Sequence, residues 1–298
     1  MNHTQQNAFL GLLLAFLGTF LFALKSIFIK LAYTEGLNSD TVLMLRMVIA
    51  LPIYLVILSY FFWKKGKPKA LTGATFAGIV GLGFIGYFLA SLLDLKGLEY
   101  ISAGLERLTL FTYPIFTAIL GALFFTIPLT KRIIVVLMTT YLGLWIMFNQ
   151  ENLLHNDTQT GVILVLFSAL SYAFYVLFSK RIISKIGSVL FTAIAMSVSS
   201  VFVLCFYFIL FDFSQLSISQ NAWLWVFLLA IISTVIPSFL ISEAIHRISP
   251  LKTSIVGMLG PVVTILLAVW ILAEPFGVYQ FLGVSLVVFG VGILTFKR

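Results

Sequence analysis

The chain has 298 residues, of which 61% are apolar and 9% charged. A soluble domain of this length would carry about 25% charged residues, roughly 75 of them. Here there are 18 Lys and Arg and 10 Asp and Glu, too few to cover a water-facing surface, so a soluble globule is excluded. The net charge of +8 would suit a nucleic-acid partner, but the basic residues fall in short clusters at the ends of apolar runs, which is membrane topology.

Apolar runs follow one another at 8–32, 41–63, 73–93, 102–125, 130–149, 161–179, 187–211, 223–245, 250–273 and 279–296. Each approaches the ~20 residues that cross a ~30 Å hydrocarbon core. They are too long and too uniformly apolar for barrel strands, and open sheet edges do not survive in lipid, so all ten are predicted helices. The first run has no basic leading segment and no small-residue cleavage site, and it holds Lys25 and Lys30. It is therefore read as a span and not as a secretory signal. Cys205, the sole cysteine, lies in the seventh run as a small packing residue; one thiol allows neither an internal disulfide nor a cysteine metal site.

Lys and Arg placement sets the expected orientation. With the N-terminus inside, the cytoplasmic ends hold Lys64, Lys65, Lys67, Lys69, Lys131, Arg132, Lys180, Arg181, Lys185, Arg247, Lys252, Lys297 and Arg298. The opposite side collects Glu35, Asp40, Asp94, Glu99, Glu151, Asp157, Asp212 and Glu274. Ten spans in the inner (cytoplasmic) membrane, with both termini cytoplasmic, is the predicted topology.

The chain also repeats itself. Displaced by 147 positions, Ile101 falls on Ile248, Ser102 on Ser249, Pro114 on Pro261, Pro128 on Pro275 and Gly143 on Gly290. Displaced by 150, Gly11 falls on Gly161 and Lys30 on Lys180. The two units, 1–150 and 151–298, hold five spans each, and an odd number sends the second into the membrane from the opposite side. Such inverted repeats build alternating access around a site between the halves.

The stretch 245–294, with Ser249-Pro250, Gly260-Pro261, Ala273-Glu274-Pro275 and a closing helix bearing Gly283, Gly290 and Gly292, resembles the end of an EamA repeat of the drug/metabolite transporter superfamily. Leu98-Glu99-Tyr100-Ile101-Ser102-Ala103-Gly104 and Tyr113-Pro114 echo it in the first half, with a departure at Ile127, where the family often has an acidic residue. The resemblance covers essentially the whole chain. It implies an all-α bundle of ten helices in two inverted five-helix repeats, with spans one, three, four, six, eight and nine around a central cavity. Many bacterial members export amino acids or other small metabolites.

An ionisable side chain at mid-membrane costs at least ~2.5–3.5 kcal/mol and is kept where it faces a cavity or a partner. Lys25 is the sharpest case: it binds an anion or carboxylate, pairs with Glu106, or snorkels on its flexible stem. Glu106 and Arg107 point ~100° apart on one helix, so one is expected to face the cavity and the other a partner such as Asp94. Glu106 is a candidate for substrate contact or proton coupling. Glu243 and Arg247 have i,i+4 ion-pair spacing beside His246, and Glu243 is alternatively a carboxylate that exchanges a coupling proton. Arg46 is expected to pair with Asp40 or reach the interface. Tyr87, Tyr113, Tyr172 and Tyr175 are polar rings at mid-span, with Ser168 and Ser171 nearby, and together suit a cavity for a polar or amphipathic solute.

Gly78, Gly81, Gly83 and Gly86 are expected to let the third span approach its neighbours closely. Pro52, Pro114, Pro237 and Pro261 lie within spans, and the equivalent pair Pro114 and Pro261 is read as the bending points of two gates. There is no Walker A loop, Gly-x-Ser-x-Gly elbow or His-Glu-x-x-His, and His3, His155 and His246 have no ligand spacing. No enzyme activity, metal or cofactor is expected. The reading is a secondary transporter moving a small organic metabolite, an amino acid or related compound, outward by alternating access with proton exchange. Its rivals are an importer of a nucleobase or sugar phosphate, a lipid-handling scaffold or membrane enzyme, and a passive channel.

Overall fold

The computed structural model describes residues 3–125, 157–211, 218–257 and 259–295, with scattered positions between 131 and 149. Half of the fifth expected span, 130–149, lies outside them, as do Ile127, Pro128, Arg132, Glu151, His155, Asp212, Lys297 and Arg298. Among the described residues there are helices and no strands. Seven helices among the described residues are long and apolar enough to cross a membrane: α1 (Gln6–Thr34), α2 (Ser39–Lys65), α3 (Gly73–Tyr100), α4 (Ala103–Phe125), α5 (Thr158–Ile186), α6 (Ser188–Leu210) and α7 (Gln220–Ile248). The expected ninth span is divided into α8 (Pro250–Gly257) and α9 (Gly260–Leu272), and α10 (Val278–Thr295) closes the bundle. We call the end where α1 gives way to α2 and α3 to α4 the far end. The end where α2 gives way to α3 and α5 to α6 is the near end.

Local chemistry explains the helix ends. Asn38, Ser102 and Ser219 cap α2, α4 and α7, their side-chain oxygens accepting from the N–H of Thr41 (2.9 Å), Leu105 (3.0 Å) and Ala222 (3.0 Å). Gly66 and Gly187 close α2 and α5 at positive φ, where a side chain would be strained. The helices outrun the apolar runs. α3 continues from 93 to Tyr100 and carries Asp94, Lys96 and Glu99 into the helix, because each finds a partner in the bundle.

Packing repeats across the two halves. α1 lies along α7 and α3 lies along α5, while α2 packs on α6. Exchanging the halves turns the first pair into the second and returns the third to itself, as two inverted repeats require. The irregularities repeat too. α3 widens into a π turn at Phe84–Leu89 and α7 at Ile231–Val235, and the 147-residue offset carries Phe84 onto Ile231. In α7 the cause is local: Pro237 lacks an N–H, and the Thr234 hydroxyl bonds the Leu229 carbonyl (2.8 Å). α4 is interrupted at Phe111–Thr112, just before Pro114, and the α8–α9 break stands just before Pro261. Pro114, Pro237 and Pro261 thus sit in the first turn of a restarted helix, where a missing N–H is tolerated. Pro52 stays inside α2.

Close approach is real at Gly86 and Gly83. A Cβ at Gly86 would meet the Tyr175 side chain at 2.2 Å, and one at Gly83 would meet the Ala195 carbonyl oxygen at 2.6 Å. Gly78 is tight against Ile182 at 3.1 Å. Gly81 differs from expectation: no atom lies within 4 Å of its Cβ position. Phe9, Phe16, Phe20 and Trp270 are exposed on the outside, as a lipid-facing surface should be, and Cys205 is exposed too.

Candidate functional site

A partly open cavity lies between the two halves, lined by side chains of both. The helices of the expected lining all reach it: α1 by Lys25, α3 by Tyr87, α4 by Arg107, α5 by Tyr172, α7 by Thr234 and α8 by Gly257. α2 and α6 reach it as well, through Arg46 and Met196.

One wall is ionic. The α1 helix loosens at Leu24, because the carbonyls just before it serve other helices: Arg107 Nη2 donates to Phe22 O (2.8 Å) and Thr264 Oγ1 to Ala23 O (2.9 Å). Lys25, next in sequence, donates to Asp94. The sequence offered Glu106 as its partner. Glu106 instead accepts from Ser26 Oγ (2.5 Å), and Ser26 Oγ accepts from Arg107 Nη2 (2.7 Å). Arg107 Nε stands 3.8 Å from Glu106 Oε2, so the two neighbours do pair, with the serine hydroxyl bridging the angle between them. The guanidinium also lies 5.7 Å over the Phe111 ring. Asp94, placed by the sequence among loop acids, is 1% exposed and belongs to this cluster. A helical face carrying Tyr87, Ser91 and Asp94 at i, i+4 and i+7 was the available signal.

Arg46 departs from expectation. Asp40 is taken by Lys96 at 3.6 Å, and Arg46 is 2% exposed, deep in α2, lining the cavity. It begins two turns inside the far end of its helix, about 10 Å of rise, which is too deep for the interface.

The other wall is aromatic. Tyr87 meets Tyr175 edge-on at 4.7 Å, Tyr175 stacks on Tyr172 at 5.8 Å, and Tyr172 meets Tyr113 edge-on at 5.1 Å. Tyr175 stands one layer behind the lining, its hydroxyl 3.5 Å from Ser242 Oγ. Tyr113 donates to Ser254 O (3.4 Å), and a Cβ at Gly257 would come within 2.5 Å of that hydroxyl. Ser168 bonds the Ala90 carbonyl (2.7 Å) and not a tyrosine.

Of the residues singled out in the sequence, Lys25, Tyr87, Arg107, Tyr113 and Tyr172 therefore line the cavity, and Glu106 and Tyr175 back it. Glu243 and Arg247 lie apart, at the near end: Arg247 Nε donates to Glu243 Oε1 (2.6 Å) and Nη1 to Asn7 (2.8 Å), while Ser188 bonds the other Glu243 oxygen. At the far end, Glu274 accepts from the N–H of Ala103 (2.8 Å) and Gly104 (3.2 Å), closing the second half onto the start of α4. Among the described residues no cluster of His, Cys, Asp and Glu could hold a metal.

Comparison with known proteins agrees with this architecture. The chain is similar to YcbK of Bacillus subtilis (strain 168), described as an uncharacterized transporter: 27% identity over 97% of this chain and 93% of that one. It is similar to the uncharacterized transporter sll1319 of Synechocystis sp. at 24% identity, over 97% and 94% of the two chains. A solved structure superposes with a TM-score of 0.69 at 14% identity, covering 96% of this chain and 97% of that one, which establishes the shared fold. The profile of the EamA-like transporter family matches twice, at residues 9–149 and 159–296, once for each half. A two-repeat helical bundle with a cavity between its halves, matched over both repeats, places the chain in the EamA-like transporter family, within the drug/metabolite transporter superfamily.

Proposed function

We propose that this transporter moves a small organic metabolite, an amino acid or related compound, outward across the cytoplasmic membrane, its two halves (1–150 and 151–298) rocking about the central cavity. The observation that carries the reading is the lining itself. The five buried Lys, Arg, Asp and Glu side chains among the described residues, from α1, α2, α3 and α4, all gather at one cavity. A membrane protein keeps such groups where a polar solute passes. The facing wall of tyrosines suits the apolar part of that solute.

Glu106 is the group proposed to exchange a coupling proton: it is buried beside a second carboxyl, Asp94, with Arg107 next to it. Glu243 and Arg247 are proposed as a near-end gate link, and Pro114 and Pro261 as the bending points. The basic residues of the near end, Lys64, Lys65, Lys180 and Arg247 among them, support a cytoplasmic near end and hence cytoplasmic termini.

The test is counterflow in proteoliposomes with labelled amino acids, nucleobases and sugar phosphates, with and without a pH gradient. Saturable exchange of amino acids that responds to the gradient is the expected result. Exchange confined to sugar phosphates or nucleobases would replace the substrate, and no exchange by folded protein would remove the transport reading. Pro261→Ala is expected to slow exchange several-fold; an unchanged rate and unchanged accessibility labelling would remove the hinge role.

A further inference from the structure

Lys25 is held by Asp94 and Arg107 by Glu106, but Arg46 makes no ion pair among the described residues. Its Nε and Nη2 are buried and make no hydrogen bond. The identity of those two nitrogens matters. Nε–H and the Nη2 beside it form one edge of the planar guanidinium, and their parallel N–H bonds match the two oxygens of a carboxylate. Arg46 therefore keeps a complete bidentate fork unused in the wall of the cavity. With Glu106 ionised, the formal charges around it do not balance either: among the described residues, Lys25, Arg46 and Arg107 face Asp94 and Glu106. One further negative charge would neutralise the cluster and fill the fork together.

We propose that Arg46 receives the carboxylate of the transported solute, side-on through Nε and Nη2, as the cavity opens to admit it. This rests on the reading of the cavity as the transport site and narrows it to carboxylate-bearing solutes. A phosphate monoester fits less well while Glu106 is ionised, since its charge of about −1.5 to −2 then exceeds the single unbalanced cation. Its third oxygen would also have to draw Lys25 or Arg107 from its carboxylate. Asp94 lines the same cavity and holds Lys25 through Oδ2. It is the acceptor available to an ammonium group next to the carboxylate, as in an α-amino acid.

The experiment is counterflow of the full chain in proteoliposomes with four labelled sets: L-amino acids, the matching 2-oxo acids, the matching amino-acid amides, and uncharged sugars with nucleobases. Arg46→Gln and Arg46→Lys are assayed beside the parent protein, with elution profile and thermal midpoint as checks on folding. Exchange should be confined to carboxylate-bearing sets, and both variants should lose about ten-fold or more in apparent affinity, the scale of one charged hydrogen-bond pair. Lysine keeps the charge and removes the fork, so its loss isolates the geometry, and it decides the matter alone if the glutamine variant does not fold. Exchange of amino acids and not 2-oxo acids supports the proposal with Asp94 reading the ammonium; exchange of both supports it with the carboxylate read alone. Saturable exchange of amides, sugars or nucleobases, or carboxylate exchange indifferent to both variants, overturns the carboxylate site and leaves the transporter standing. No exchange of any set by folded parent protein overturns both.

Discussion

The two ends of the bundle are held by opposite chemistry. At the far end carboxylates bond backbone N–H groups at helix starts: Glu99 accepts from Ser39 N at the head of α2 (2.8 Å), and Glu274 from Ala103 and Gly104 at the head of α4. At the near end a cation bonds backbone carbonyls where a helix finishes: Lys180 Nζ donates to Ile245 O (2.9 Å) and to His246 O at the close of α7. Helix dipoles favour both arrangements, anions at N-termini and cations at C-termini. The charge asymmetry that sets the predicted orientation is therefore also the capping chemistry of the fold. The repeat sharpens the contrast. The 147-residue offset puts Ile127 where Glu274 stands, and Pro250 and Leu251 where Ala103 and Gly104 stand. The isoleucine side chain has no acceptor and proline no N–H, so the sequence does not repeat the chemistry of the far-end latch in the other half.

Depth separates the ends further, and the largest expected effect tests it. The Lys25–Asp94 pair lies in the far half with side chains 10% and 1% exposed, whereas Glu243 and Arg247 at the near end are each 27% exposed. Breaking a buried pair leaves an uncompensated charge. Asp94→Asn should lower stability by about 3–5 kcal/mol in denaturant unfolding of the detergent-solubilised protein. Lys25→Gln with Asp94→Asn should recover much of that loss, since no charge is then stranded. A double variant no better than the single one would show that the pair is not the source.

Next in size is the latch. Glu274→Gln keeps one acceptor and loses the charge, and should cost about 1 kcal/mol, the scale of a helix cap. It should also raise labelling of a cysteine placed in the 100–103 turn, because the second half no longer holds the head of α4. Lys180→Met should cost less, about 0.3–1 kcal/mol, and leave that labelling unchanged. Equal opening of the far-end turn by both variants would erase the distinction between the ends.

Much of this was legible beforehand, and the rest was hidden for definable reasons. The offset of Pro114 on Pro261 foretold the matched helix breaks, because proline punctuates a helix wherever it falls. Lys25 announced itself by depth. Its partner did not: Asp94 was placed outside the third span because apolar runs are cut where charge appears, and α3 runs seven residues further. Arg46 was assigned to Asp40 or the interface because it stands toward the outer end of its span, whereas Lys96, from another helix, claims that carboxylate. Glu274 meets Ala103 across 171 positions, a contact no local pattern carries. Ile127 was the trace of it, a missing acid in one half whose counterpart in the other does structural work.

The smallest effect belongs to Glu243. Its oxygens serve Arg247 at 2.6 Å and Ser188, with His246 Nδ1 at 3.9 Å, so on contacts alone it looks as firmly fixed as Asp94. Exposure reverses that ranking. Water already solvates the carboxylate and the guanidinium, so their pairing adds about 0.2–1 kcal/mol, and glutamine in its place still accepts from Ser188. Glu243→Gln should therefore shift the unfolding midpoint slightly at low ionic strength and not at all near 1 M salt, where screening acts within ~3 Å. Asp94→Asn should keep its full effect at both. A salt-independent loss at Glu243 as large as that at Asp94 would mean that the near end is buried in the membrane-embedded protein, and the contrast between the two ends would fall with it.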